Sequence, residues 1–434
     1  MGESSAAPIA PPRTVGWAGT SLMPLNGMIG AGIFALPAIL YASVGNFAPW
    51  MILLGGIFFF PLVWCFARLA ARFDHSGGPI LYGKAAFGSF VGFQSGWGRY
   101  ASGIVTEAAN AHVAISYAAA VWPLIGDEGT RPWAVASFQL FFILINLFGM
   151  KSAVRTLGGM TLIKLSPLAL LIFAGLLWGD PAIGLRLPEF TAIEGVVLLT
   201  FYAFMGFEAV VMSAGEMKRP KRDVPWALVA MLGGVTVLYA LICWAFIAID
   251  PLIANDDTAP LAVAAAAIAG PAGAIAIAIA ATFSIAANDL NGYIANPRMT
   301  YGMAEQGMLP RWFMHVSPRF RSPNNSILFY GAACMFFGLI GGFEFLAIAG
   351  TLTRLVMYVV TAAALPVIAR REDGRVGLAD IAMAAIALAS SLWVATHAKP
   401  DAWLAFGALI GVGTLLYFIA RRAISPPPVP VTSP

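Results

Sequence analysis

The sequence predicts an all-α integral membrane protein of twelve transmembrane helices, two of them broken near their middles. Three observations carry that reading. Of 434 residues, 59% are hydrophobic and only 11% are charged, against about 25% charged in a soluble domain. Most of the surface must therefore face something other than water. Apolar runs of the length a bilayer requires, about 20 residues, recur twelve times. The basic residues fall on alternate sides of those runs.

In order, the runs cover residues 15–40, 46–69, 92–123, 132–149, 157–179, 194–216, 225–249, 270–302, 325–342, 345–369, 377–396 and 402–420. Residues 1–14 are polar and Pro-rich, lack the basic start of a secretory signal, and read as a cytoplasmic tail. Residues 421–434, with SPPPVPVTSP, read as a second one. The first run carries Gly27, Gly30 and Gly32 within six residues, although each glycine costs a helix up to about 1 kcal/mol relative to alanine. The third holds Arg99 and Glu107, the fifth Lys164, and the tenth Arg354. The sixth, TFYAFMGFEAVVMSAGE, packs Tyr202, Phe204, Gly206, Phe207 and Glu208 into two turns. The eighth, AANDLNGYIANPRM, carries Asn288, Asp289, Asn291 and Tyr293. The Ala-rich stretch 259–269 is too short to span and is expected as a helix lying on the outer side.

Orientation follows from lysine and arginine, which are enriched in cytoplasmic loops. With the N-terminus inside, nineteen of the 25 fall on the inner side and three, Arg131, Arg186 and Lys399, on the outer side. The other three, Arg99, Lys164 and Arg354, lie within runs. Such a split is hard to obtain from a wrong span count. It predicts a multi-pass protein of the plasma membrane with both termini cytoplasmic. The clusters KRPKRD, RWFMHVSPRFR and ARREDGR then read as topology-setting loops. With a net charge of only +4, no nucleic-acid partner is expected. Cys65, Cys243 and Cys334 are far apart in apolar runs and read as small buried hydrophobes.

Ionisable groups at membrane depth are costly and mark function by default. Glu107, Asp289 and Arg354 lie near the middle of their runs, and Glu208 somewhat inward of the middle. Lys164 and Arg99 lie about two turns in, and Arg99 is close enough to its end to snorkel. Arg354 and Asp289 suit an interhelical ion pair. The surroundings of Glu107, Lys164 and Glu208 favour function.

Runs one and six both have glycine-interrupted centres and lie five runs apart, the mark of an inverted repeat. An unwound stretch leaves N–H and C=O groups unpaired, which hydrocarbon does not tolerate, so they must line a cavity or meet a ligand. Half-helix N-termini attract anions; exposed carbonyls attract cations. Two breaks together suit the carboxylate and ammonium of a free α-amino acid. Close helix packing is the competing account of Gly27, Gly30 and Gly32; the motif alone leaves both open, and the second break and buried carboxylates favour the first.

Several stretches carry a family resemblance. GMIGAGIFALPA (27–38), SGGPILYGKAAFG (76–88), NLFGMKSAVRTLGGMTLIKLSPL (146–168), GFEAVVMSAGEMKRPKRDVP (206–225) and YGMAEQGMLP (301–310) resemble the amino acid–polyamine–organocation transporters, which have the LeuT-type fold. The resemblance covers about residues 15–420. It implies a first repeat at 15–179, an inverted second repeat at 194–369, and two further helices at 377–420. It also implies a substrate site. Backbone N–H groups around Gly30, Ala31 and Gly32 would meet the carboxylate. Carbonyls near Gly27, Met28 and Ile29 and along Tyr202, Ala203 and Phe204, beside Gly206, would meet the ammonium. Tyr202 and Tyr293 stand where members have gating aromatics. Lys164 stands where sodium-independent members place a lysine, and Glu208 matches a helix-six glutamate, so both are implied in proton coupling or in replacing a sodium ion. Glu107 stands where members have an asparagine that contacts substrate. There it would favour a cationic side chain, take up a proton, or be neutralised by Arg354.

The expected function is secondary active transport of amino acids by alternating access, sodium-independent and linked to protons or to exchange. The expected partners are a small-molecule amino acid and membrane lipid, in a monomer or homodimer, with no metal and no cofactor other than the proton as coupling ion. Exchange of polyamines or other amines is the alternative within transport; a non-transporting amino acid sensor is the alternative outside it. No phosphate-binding P-loop motif is present. The four histidines, His75, His112, His315 and His397, are dispersed, so no enzyme is expected.

Overall fold

The computed structural model describes residues 16–73, 77–148, 153–179, 186–212, 214, 217–249, 259–320 and 322–423. The expected tail 1–14 lies outside them. Fifteen α-helices run through the described residues: α1 (Trp17–Met28), α2 (Gly32–Val44), α3 (Ala48–Ala70), α4 (Pro79–Phe87), α5 (Ser89–Ala119), α6 (Arg131–Phe148), α7 (Ala153–Trp178), α8 (Phe190–Phe204), α9 (Ala209–Met212), α10 (Pro220–Ile249), α11 (Pro260–Glu305), α12 (Asn324–Ile340), α13 (Phe343–Asp373), α14 (Leu378–Thr396) and α15 (Pro400–Ala423). Each expected run is largely helical over its described residues. Runs one and six are each split in two, as α1/α2 and α8/α9. The stretch 260–269 is a separate piece of α11, because Gly270 has non-helical angles (φ 61°, ψ −156°) and Pro271 disfavours helix at the residue before it. Among the described residues, seven segments are long and apolar enough to cross a membrane: Gly32–Ala70, Arg131–Phe148, Pro220–Ile249, Pro260–Glu305, Phe343–Asp373, Leu378–Thr396 and Pro400–Arg422.

A long helix rich in polar side chains sits at the centre. α5 carries Arg99, Glu107, Asn110 and several serines and glycines, and 22 of its 31 residues are buried. It is enclosed by α4, α11, α12, α13 and α15. That enclosure is what lets polar side chains persist at membrane depth. The rim is the reverse: α6, α7, α14 and α15 turn Trp133, Phe173, Leu392 and Leu415 outward, the surface lipid requires. The expected halves interlock, with α3 and α5 packing chiefly on α10, α11 and α13. All three cysteines are buried and free, as their setting predicts. At one end Arg68 grips Asp380 through two nitrogens at 2.9 Å. Arg72 bonds Glu372 and Asp373 at 2.9 and 2.7 Å. These pairs fasten α3 to α13 and α14.

Tyr117, near the end of α5, bridges two other elements. Its hydroxyl donates to the Phe34 carbonyl at 2.8 Å and accepts from the Leu261 N–H at 3.1 Å. It thereby joins α2 to the 260–269 piece.

The two breaks touch. α1 stops at Met28, where Ile29 turns (φ −78°, ψ 85°) and the Gly30 N–H donates to the Met28 carbonyl at 2.9 Å, an inverse γ-turn. α8 stops at Phe204, followed by extended Met205 and then Gly206 at φ +103°. Gly27 and Gly206 lie backbone against backbone: a Cβ on either would run into the carbonyl oxygen of the other. Alanine at Gly27 is therefore predicted to cost about 1–3 kcal/mol by overpacking. Gly206→Ala adds the strain of a positive φ, roughly another 1–3 kcal/mol. Gly233 in α10 has open space around it, so Gly233→Ala is predicted to be neutral or to gain up to about 1 kcal/mol. Thermal unfolding of the three purified variants in one detergent gives the ranking; equal melting temperatures for Gly27→Ala and Gly233→Ala would show that the breaks are not in contact.

Candidate functional site

The breaks leave backbone groups without helical partners. In the first turn of α2, the N–H groups of Ala31, Gly32 and Ile33 have no backbone acceptor among the described hydrogen bonds, whereas Phe34 and Ala35 donate to the Ala31 carbonyl. Across from them, the last turn of α8 has lost its following turn; the Tyr202 carbonyl regains a donor from Met205 at 3.2 Å. The Met28 carbonyl is not open. It accepts from Gly30 and from the Tyr239 hydroxyl at 2.7 Å.

Between the breaks lies a cavity of about 80 Å³. Gly27, Met28, Gly30, Ala31 and Gly32 form one wall, and Tyr202, Met205, Gly206 and Ala209 form another. The rest comes from two polar stripes. On α5 these are Gly103, Thr106, Glu107 and Asn110; on α11 they are Asn288, Asn291, Gly292 and Asn296. Both stripes recur at three- and four-residue steps, so each occupies one helix face. Arg99 and Arg354 close the remaining side.

Of the residues expected at a substrate site, the cavity gathers Gly27, Met28, Gly30, Ala31, Gly32, Glu107, Tyr202 and Gly206. Ile29, Ala203 and Phe204 lie behind its wall, fully or nearly fully buried. Tyr293 does not line the cavity. Its hydroxyl donates to Gln139, and its ring stacks on Phe142 at 5.6 Å and meets Tyr330 edge-on at 5.3 Å. Lys164 is in α7, and its side chain lies outside the described residues. Asn110, Thr106 and Asn296 were not anticipated, although an i, i+3, i+4, i+7 polar stripe from Gly103 to Asn110 was there to be read.

Charge at the site is arranged around the α8/α9 break. Glu208 is fully buried, with Arg354 Nη1 at 3.0 Å and Arg99 Nε at 3.9 Å from its Oε1. Its Oε2 accepts from the Gly206 N–H at 3.1 Å. This corrects two expectations. Arg354 pairs with Glu208 rather than with Asp289 or Glu107, because Ser102 Oγ, 2.9 Å from its Nε, aims it at the break. Arg99 does not snorkel: Nη1 donates to Asn296 Oδ1 at 2.6 Å, a nearer partner than the interface.

Tyr202 is 6% exposed. Its hydroxyl donates to Asn110 Oδ1 at 3.2 Å, and its ring meets Phe343 edge-on at 5.8 Å. Asn110 Nδ2 in turn donates to Asp289 Oδ1 at 2.6 Å and reaches Asn288 Oδ1 at 3.3 Å. Glu107 Oε1 accepts from the Tyr330 hydroxyl at 3.4 Å. Gly292 leaves the space the Glu107 carboxyl occupies, since a Cβ there would overlap it.

Known proteins match this chain along nearly all its length. The family model described as amino acid permease matches residues 15–430. The chain belongs to the amino acid permease family. The resemblance read from the motifs is thus borne out, and with it a multi-pass membrane transporter. A methylthioribose transporter of Bacillus subtilis is 25% identical over 441 residues, covering 94% of each chain. Uncharacterized transporters of Mycobacterium bovis and Mycobacterium tuberculosis are each 31% identical over 338 residues, covering 74% of this chain and 72% of theirs.

The ion cluster of this permease-family chain predicts an asymmetry. Removing one partner of a buried pair costs about 3–5 kcal/mol, because the other charge is left uncompensated. Glu208→Gln strands two guanidiniums, whereas Arg354→Gln leaves Glu208 facing Arg99. Glu208→Gln is therefore predicted to be the more destabilising, at or above the top of that range, and Arg354→Gln to fall at or below its bottom. Chemical or thermal unfolding of both variants checks the order, and the reverse order would disprove the three-residue arrangement.

Proposed function

We propose that the chain is a twelve-span secondary transporter of free amino acids, with the 5+5 inverted repeat, both termini cytoplasmic, and a substrate site between the α1/α2 and α8/α9 breaks. The observation that carries this reading is the cavity with open N–H groups at the start of α2 on one side and the end of α8 on the other. Ala31 and Gly32 supply donors and a helix N-terminus to a carboxylate. The α8 end supplies carbonyl dipoles to an ammonium. A volume of about 80 Å³ is well below the roughly 300–1,000 Å³ of drug-sized sites, so the occupant is small.

Tyr202 is the gating residue, since its ring lies against Gly32 and its hydroxyl is tied to α5. Opening needs that one hydrogen bond to be exchanged, with no covalent step. Sodium independence rests on Lys164, carried by α7. Coupling is to protons or to exchange, in a monomer or homodimer surrounded by lipid.

One observation favours a second reading. Asn110, Asn288, Asn291 and Asn296 give the cavity an amide-rich wall, which suits hydroxyls, and one relative is named for methylthioribose. Amines are a third class of solute, on account of Glu107. Purified protein in liposomes, offered the twenty amino acids, small polyamines and methylthioribose, separates these. Saturable uptake or exchange of one or more amino acids, unchanged when choline replaces sodium, is the expected result. Uptake of methylthioribose or polyamines alone would move the reading to those solutes. Amino acid binding without flux would make the chain a sensor. Tyr202→Ala is predicted to lower the rate at least tenfold, because the ring that closes the cavity is gone.

A further inference from the structure

Two carboxyl groups at membrane depth have no role in the ion cluster just described. Glu107 on α5 and Asp289 on α11 are 5% and 0% exposed, and they are neighbours: the Glu107 carboxyl fills the space beside Gly292, one turn from Asp289, and Asn110, one turn from Glu107, bonds Asp289 at 2.6 Å. Each has one oxygen with a conventional donor: Tyr330 serves Glu107 Oε1, and Asn110 serves Asp289 Oδ1. Each has a second oxygen, Glu107 Oε2 and Asp289 Oδ2, buried with no donor at all. A buried acceptor left without a partner is costly, and two neighbouring ionised carboxylates cannot supply one to each other. A single proton resolves both deficits, since the protonated carboxyl donates to the ionised one. We propose that Glu107 and Asp289 jointly hold one exchangeable proton and form the coupling-ion site of the transporter.

The surroundings agree in charge. The charged groups facing the pair are Arg99 on α5 and Arg354 on α13, and both of these also face Glu208 at the α8/α9 break. The titratable neutral groups are Tyr202, Tyr293, Tyr330 and Cys334. Two guanidiniums against Glu208 and one ionised carboxyl of the pair sum to zero. One proton on the pair is therefore the charge-balanced state of the buried site, and its loss or a second proton unbalances it in low dielectric. Like-charged carboxyls sharing a site are known to keep one proton between them for this reason. Glu208 is less suited to the task, because Arg354 and the Gly206 N–H already occupy its two oxygens.

The site is also wired to the cavity. Glu107 lines it, so proton and solute share a wall. Asn110 donates to Asp289 through its amide nitrogen and accepts from Tyr202 through its amide oxygen. A hydrogen bond to an ionised acceptor is about twice as strong as a neutral one, so shifting the proton onto Asp289 loosens the amide that holds the gating ring.

This inference rests on the transport reading for its role, yet the proton itself can be observed without any solute. Infrared difference spectra of the full-length protein in lipid, recorded across a pH step in H₂O and D₂O, report protonated carboxyl groups directly. The unaltered protein is expected to show a C=O band that shifts in D₂O, and Glu107→Gln and Asp289→Asn are each expected to abolish it. In either variant the new amide donates to the remaining carboxylate, which then has no need of a proton. Each variant decides independently, so one that fails to fold leaves the other. Absence of the band from the unaltered protein, or its persistence in a folded variant, overturns the proposal.

The second arm uses whichever panel solute is taken up. One unit of imposed pH difference is expected to change its accumulation by roughly tenfold for one proton per solute, and by about onefold, that is not at all, in both variants. Normal uptake with no infrared band would defeat the proton site and leave the transport reading standing. The band behaving as expected with no solute moved would defeat the transport reading instead.

Discussion

Hydrocarbon offers no hydrogen bonds, and every feature of the site follows from that constraint. A chain that breaks two helices at membrane depth must give each freed N–H and C=O a partner. This chain does so in three ways. Tyr239 serves the Met28 carbonyl, Glu208 serves the Gly206 N–H, and the γ-turn at Ile29 folds the Gly30 N–H back onto its own strand of chain. What those devices leave unserved, at Ala31, Gly32 and Ile33, is the part that can be offered to a solute. The site is the remainder of a nearly complete satisfaction of the backbone.

The same constraint explains why polar side chains collect on α5. A helix with this many could not face lipid, and its enclosure by five others puts Arg99, Glu107 and Asn110 beside α11 and α13. Charges drawn into such a place have to balance locally, since screening by water is absent. Glu208 draws in both arginines, which leaves the two remaining carboxyls to settle with each other. Ion pairing at one break thereby decides the protonation question several ångströms away.

Much of this was legible in the sequence. Spans show because about twenty apolar residues are a long, low-noise signal, and the two breaks show because glycine is an unlikely choice inside them. The cavity-facing glycines, Glu107 and Tyr202 came from those breaks and the motifs around them. Partner choice was not legible. Arg354 could reach several carboxylates by depth alone, and its true partner depends on Ser102 turning it. Tyr293 was placed at the site by the family resemblance, yet the rotation of α11 carries Asn288 and Gly292 to the cavity and Tyr293 to Gln139. Rotation of a helix about its axis is set by packing on every side, and a run that is polar on more than one face does not announce which face wins. The Gly103–Asn110 stripe was an exception, a regular pattern hidden by the apolar residues between its members.

Tyr117 has a consequence beyond packing. Its one oxygen is donor to α2 and acceptor from the 260–269 piece at the same time, so the two bonds polarise each other and neither is at full strength alone. A tilt of α2 that withdraws Phe34 would weaken the hold on Leu261 as well. The short helix is thus geared to the second half of the first broken span: a shift of one is felt by the other through the geometry of a single hydroxyl.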